Sequence, residues 1–101
     1  MMNIERKEIN DMKTIEELRQ EINQIDKEMA ELFNKRMECA KNIAIYKKEN
    51  NLPIFDKARE LQLIDKNLSY IHDDLKPLYR EYLIKLMELS KLYQEFINKD
   101  K

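Results

Sequence analysis

Residues 15–32 run IEELRQEINQIDKEMAEL, and the apolar members Ile15, Leu18, Ile22, Ile25, Met29 and Leu32 follow one another in steps of three and four. That spacing is a heptad seam, with apolar a and d positions recurring every 3.5 residues along a helix. Just upstream, Thr14 is a plausible N-cap, with Glu17 three residues on as its capping-box partner. Downstream, the same frame falls on Arg36, Cys39, Ile43 and Tyr46. Three of these continue the seam; Arg36 breaks it. No Pro or Gly interrupts the chain between Lys13 and Asn50, so one helix is expected there, roughly 55 Å long at 1.5 Å per residue. A compact domain of this size has a radius of gyration of only about 13 Å. Two shorter helices cannot cover such a seam, whereas a second copy of the long helix can. The expectation is an intertwined homodimer.

The rest of the chain supports an all-α reading. Lys48-Glu49-Asn50-Asn51-Leu52-Pro53 is a break, because the residue before a proline is pushed out of the helical region. Asp56 is a good cap for a second helix over Lys57–Leu68, with Ala58, Leu61, Ile64 or Asp65, and Leu68 defining its face. After a polar connection from Asn67 to Asp74, a third helix is expected from Leu75 to Ile97. Pro77 fits its first turn, where a missing N–H has no intrahelical partner. Its expected seam is Leu75, Tyr79, Tyr82, Leu86, Leu89, Tyr93 and Phe96. Residues 1–10 are expected to be a flexible leader, and 11–101 the single helical domain.

Composition narrows function. The 101 residues contain no Gly, no Trp and no Val, with Thr14 the only threonine. Without glycine a phosphate-cradling loop or dinucleotide-binding turn is not expected, and without valine strands are poorly supplied. Nineteen Lys+Arg against 20 Asp+Glu give a net charge of −1, so no basic field points to nucleic acid. No apolar run is long enough for a membrane span, and Glu5, Glu8 and Asp11 occupy the place of a secretion signal's apolar core. Cys39 and His72 are single residues, too few for a disulfide framework or a zinc site. Cys39 is expected as a small buried hydrophobe and His72 at the surface. A cytoplasmic protein with no metal and no cofactor is expected.

Several polar residues interrupt apolar faces. Arg36 and Lys47, eleven residues apart, fall within about 20° on the helical wheel and roughly 16 Å along the axis. Two long cations on one stripe can hold a small dianion between them. Arg19 lies about 25 Å from Arg36 by helical rise, but the partner's Arg19 can arrive there in an interlocked dimer. Ser90 and Gln94 break the apolar face of the third helix, and Asp56, Arg59 and Glu60 cluster at the start of the second. The constellation holds no paired nucleophile and base. It suits chemistry that needs only binding and electrostatics.

In this pattern the chain resembles the all-helical class of chorismate mutases, over about Ile15 to Phe96. The resemblance rests on Leu18-Arg19 with Ile22 and Asp26, the Lys35-Arg36 pair, Lys47, the stretch Pro53-Ile54-x-Asp56-x-x-Arg59-Glu60, and Ser90-x-x-x-Gln94. Phe55 and Ala58 depart from relatives that often carry a charge there. The resemblance implies an isomerase of aromatic amino-acid (Phe/Tyr) biosynthesis, converting chorismate to prephenate by a Claisen rearrangement. It implies that Arg36 and the partner's Arg19 clamp the two carboxylates, and that Lys47 reaches a carboxylate and the ether oxygen. Gln94 is then the second donor to that oxygen, Glu60 and the Asp56 backbone receive the ring hydroxyl, and Ser90 and Arg59 complete the polar wall. Lys47, Gln94 and Arg36 are thus the expected catalytic residues. The alternatives are an isochorismate–pyruvate lyase of the same fold and a non-enzymatic helical dimerisation module. The latter accounts for the heptads but not for Arg36, Lys47, Ser90 and Gln94.

Overall fold

The structure, a computed structural model, describes residues 13–99; the expected leader at 1–10 lies outside the described residues. Three α-helices follow one another: α1 (Ile15–Glu49), α2 (Lys57–Leu68) and, after a 3-10 turn at Asp73–Leu75, α3 (Lys76–Lys99). Among the described residues there is no strand, and the all-α expectation holds with helix ends within two residues of those expected. No described helix is long and apolar enough to cross a membrane. By contacts within the chain, residues up to Asn34 and residues from Lys35 onward form two units.

The first unit holds the opening of α1. The capping box forms in both directions: Glu17 N–H donates to Thr14 Oγ1 (3.1 Å) and Thr14 N–H donates to Glu17 Oε1 (3.0 Å). The bond from the Thr14 backbone, and secondarily the one with its hydroxyl, hold the Glu17 carboxyl below its ordinary value of 4.5, with Lys13 adding a smaller pull. A carboxyl lowered on folding stabilises the folded state above its unfolded value, and that contribution is lost as pH falls through the lower folded value. Acid titration followed by circular dichroism should therefore show the wild type losing helix in that window and Glu17→Gln losing less. Identical acid limbs would contradict the assignment. Every described residue of α1 up to Lys35 is exposed, including seam residues Leu18 at 40% and Ile15 at 63%. Among the described residues, none covers this part of the seam.

The second unit packs the end of α1 with α2 and α3. Its buried residues are Ala40 and Ala44 of α1, Ile64 of α2, and Leu83, Met87, Ser90 and Gln94 of α3. Ala40 and Ala44 are one turn apart, and their small side chains let α3 approach the backbone of α1. Gln94 Nε2 donates to the Ala40 carbonyl (2.9 Å) and Asn98 Nδ2 to the Ala44 carbonyl (3.0 Å). Each carbonyl keeps a second lone pair beyond its helical bond, so these ties need not break the α1 ladder; each contributes about 1 kcal/mol net. The stripe buried on α3 differs from the expected seam. It runs through 83, 87, 90 and 94, and the neighbouring Leu75, Tyr82, Leu89 and Phe96 are exposed. Likewise α1 buries Ala40 and Ala44, while Cys39, Ile43 and Tyr46 of the seam are exposed. The face used inside the chain lies beside the heptad seam, which explains why Cys39 is exposed rather than buried.

The glycine-free chain ends α1 with asparagine. Asn51 takes φ 56°, the left-handed conformation that Asn tolerates better than most residues. Leu52 N–H then donates to the Lys47 carbonyl (2.7 Å) and Asn51 N–H to that of Lys48 (3.3 Å). This pair of bonds is a Schellman turn, and it folds the Pro53–Asp56 segment back toward Lys47. His72, exposed as expected, precedes the 3-10 turn. There Lys76 pairs with Asp73 at 2.7 Å and holds that carboxyl below its ordinary value.

Candidate active site

Between the end of α1, the start of α2 and the second half of α3 lies a cavity of about 280 Å³. Arg36, Lys47, Asp56, Arg59, Glu60, Ser90 and Gln94 all line it, so seven of the eight site residues expected from sequence meet at one place. The eighth, Arg19, stands exposed in the first unit and is not among the lining residues.

Each side chain is held by a neighbour. An Arg36 guanidinium N–H donates to Ser90 Oγ, and the Ser90 hydroxyl also lies 3.8 Å from Met37 Sδ. Arg36, the residue that broke the heptad pattern, is half-buried and has a neutral acceptor rather than an acid as its partner. Its charge remains available to an anion. Lys47 Nζ donates to the Ile54 carbonyl at 2.8 Å, a contact made possible by the Schellman turn, and an ammonium retains two further N–H donors. Gln94 spends one amide hydrogen on Ala40 and keeps the other; that bond fixes which way its amide faces.

The α2 terminus is organised by Asp56, whose Oδ1 accepts from the Arg59 N–H at 3.0 Å as the N-cap. With that carboxylate engaged, the guanidinium of Arg59 turns to Gln62 Oε1 at 3.3 Å. Glu60 Oε2 is paired with Lys91 Nζ at 3.0 Å. Lys91 also lines the cavity and was not singled out from sequence. In the sequence it is one lysine among many on a charged helix.

Four cationic and two acidic side chains line the cavity, a formal excess of two positive charges. Apolar contacts from Ile43, Leu63 and Met87 line the remainder. Among the described residues no three His, Cys, Asp or Glu side chains group as a metal site. The arrangement is a cation-rich, partly apolar pocket able to bind a small dianion and offer neutral and charged hydrogen-bond donors to a third oxygen.

Comparison with known proteins agrees with this geometry. Residues 18–96 match the family described as chorismate mutase type II. The chain is 34% identical over 89 residues to a bifunctional chorismate mutase/prephenate dehydratase of Aquifex aeolicus (strain VF5), covering 79% of this chain and 25% of that protein. It is also 34% identical over 53 residues to a T-protein of Haemophilus influenzae (strain ATCC 51907 / DSM 11121 / KW20 / Rd), covering 52% of this chain and 14% of that protein. The chain thus spans a quarter or less of the length of these relatives. No solved structure matches it.

Proposed function

Because this chain belongs to the chorismate mutase type II family, we propose that its pocket converts chorismate to prephenate in the route to phenylalanine and tyrosine. The observation that carries this reading is the convergence of Arg36, Lys47, Glu60, Ser90 and Gln94 on one cavity, from helices far apart in sequence. The reaction is a one-step Claisen rearrangement: an ether C–O bond breaks as a C–C bond forms, with no proton transferred. A site of this kind needs to hold the substrate folded and to stabilise charge on the breaking ether oxygen.

The roles are those the family resemblance implies, and the chemistry of each side chain accords with them. Arg36, whose hydrogen-bond partner among the described residues is the neutral Ser90, binds one carboxylate. Lys47 serves a carboxylate and the ether oxygen, and Gln94 donates its remaining N–H to that oxygen. Glu60 and the backbone at Asp56 receive the ring hydroxyl, while Ser90 orients Arg36 and Arg59 closes the polar wall. The second carboxylate is met by the partner's Arg19 in an intertwined homodimer. The exposed seam from Ile15 to Leu32 supports that assembly, since a second copy of α1 offers the same heptad spacing. The lone cysteine, which leaves no pair for a disulfide, accords with a cytoplasmic location.

Purified protein incubated with chorismate, with the product identified, tests this reading. Prephenate is expected. Pyruvate released from isochorismate, with chorismate left intact, would move the pocket to the lyase reaction. Failure to turn over either, with an unaltered melting temperature in the presence of chorismate, would leave a dimerisation module.

A further inference from the structure

Lys91 has no part in the chemistry described above, yet it lines the cavity between the two buried polar residues of α3. Its ammonium lies 3.0 Å from Glu60 Oε2 and 4.6 Å from the centre of the Phe55 ring. The Lys91 and Glu60 side chains are 29% and 24% exposed, so the pair is shielded on most sides. An ammonium over an aromatic face is attracted by the ring quadrupole, and Phe55 thereby restricts the directions in which Lys91 can swing.

Glu60 presents a difficulty in a dianion pocket. Its carboxylate has the sign of the ligand, and at a side chain only 24% exposed that repulsion is less screened than in open water. Lys91 offsets it. The ammonium engages one carboxylate oxygen, and a carboxylate has acceptor sites on both, leaving Oε1 to accept from a hydroxyl. We propose that Lys91 is a positioning residue that holds the Glu60 carboxylate as a hydrogen-bond acceptor and cancels its charge toward the ligand, so that the pocket takes a dianion bearing a hydroxyl group. The inference rests on the dianion reading of the pocket.

A double-mutant cycle on prephenate binding, followed by calorimetry, tests it; prephenate carries both carboxylates and the hydroxyl and is not itself consumed. Lys91→Met should weaken binding about tenfold, and Lys91→Arg, which keeps the charge, should stay within about threefold of wild type. In the Glu60→Gln background, where no charge remains to offset, Lys91→Met should cost less than about threefold more. Independent, multiplying losses would overturn the proposal, as would an arginine variant as weak as the methionine one. A wild type that binds prephenate with this coupling but makes none from chorismate would defeat the proposed reaction and leave the Lys91 assignment standing. A wild type that turns over chorismate but shows no coupling would do the reverse, and absence of prephenate binding would overturn both.

Discussion

Lys47→Ala should lower kcat by roughly 10²–10³, about 3 kcal/mol, with a much smaller change in KM. The expectation comes from timing. Charge on the ether oxygen develops only as the C–O bond breaks, so a donor aimed at it acts mainly in the transition state. Lys47 is suited to this because its own carbonyl is tied into the turn that ends α1 and its ammonium is anchored on Ile54. It is therefore held in place before substrate arrives. Gln94→Ala should show the same kinetic pattern with an added loss of stability, since Gln94 also ties α3 to the Ala40 carbonyl. Gln94 is an amide, neutral at every pH, so activity should stay nearly level from about pH 5 to 9. An effect of Lys47→Ala confined to KM would remove Lys47 from the transition state.

Arg36→Ala should be still more damaging, lowering kcat/KM by about 10³-fold, within the 2–5 kcal/mol typical of truncating one member of a buried charged pair. Among the described residues its guanidinium donates to the neutral Ser90, which leaves the proposed ligand as its ionic partner. Arg36→Lys should recover part of the loss, because a lysine restores the charge without the planar two-donor fork. A change within threefold for the alanine variant would show that Arg36 belongs to the helix packing rather than the site.

The fold was legible where local signals agreed. The Thr14–Glu17 capping box, the break before Pro53 and the Asp56 cap each stand where their chemistry puts them. The buried faces were less so. Heptad spacing marks the most continuous apolar stripe of α1, but inside one chain α3 packs on the adjacent Ala40 and Ala44, which carry little hydrophobic weight. Two alanines look unremarkable in a sequence; what they permit is close backbone approach, visible only once Gln94 and Asn98 reach their carbonyls. On α3, a stripe interrupted by Ser90 and Gln94 similarly looks weaker than its neighbour until those residues gain partners. The site itself was legible through misfits. Arg36 in an apolar frame and two neutral polar residues on an apolar helix are costly unless something binds them. Lys91 gave no such signal, because a lysine among many on a charged helix becomes distinctive only when Glu60 and Phe55 are found around it.

A shared site, with Arg36 of one protomer and the partner's Arg19 acting together on chorismate as proposed, can be tested by mixing two inactive variants. Arg19→Ala and Arg36→Ala are each dissociated, combined in equal amounts, reassociated and assayed for prephenate formation. In a symmetric dimer, half of the products are heterodimers and each contains one site with both arginines intact, so about a quarter of wild-type activity should return. Activity no greater than the sum of the separate variants, in a mixture shown to contain heterodimers, would show that the site does not draw Arg19 from the partner.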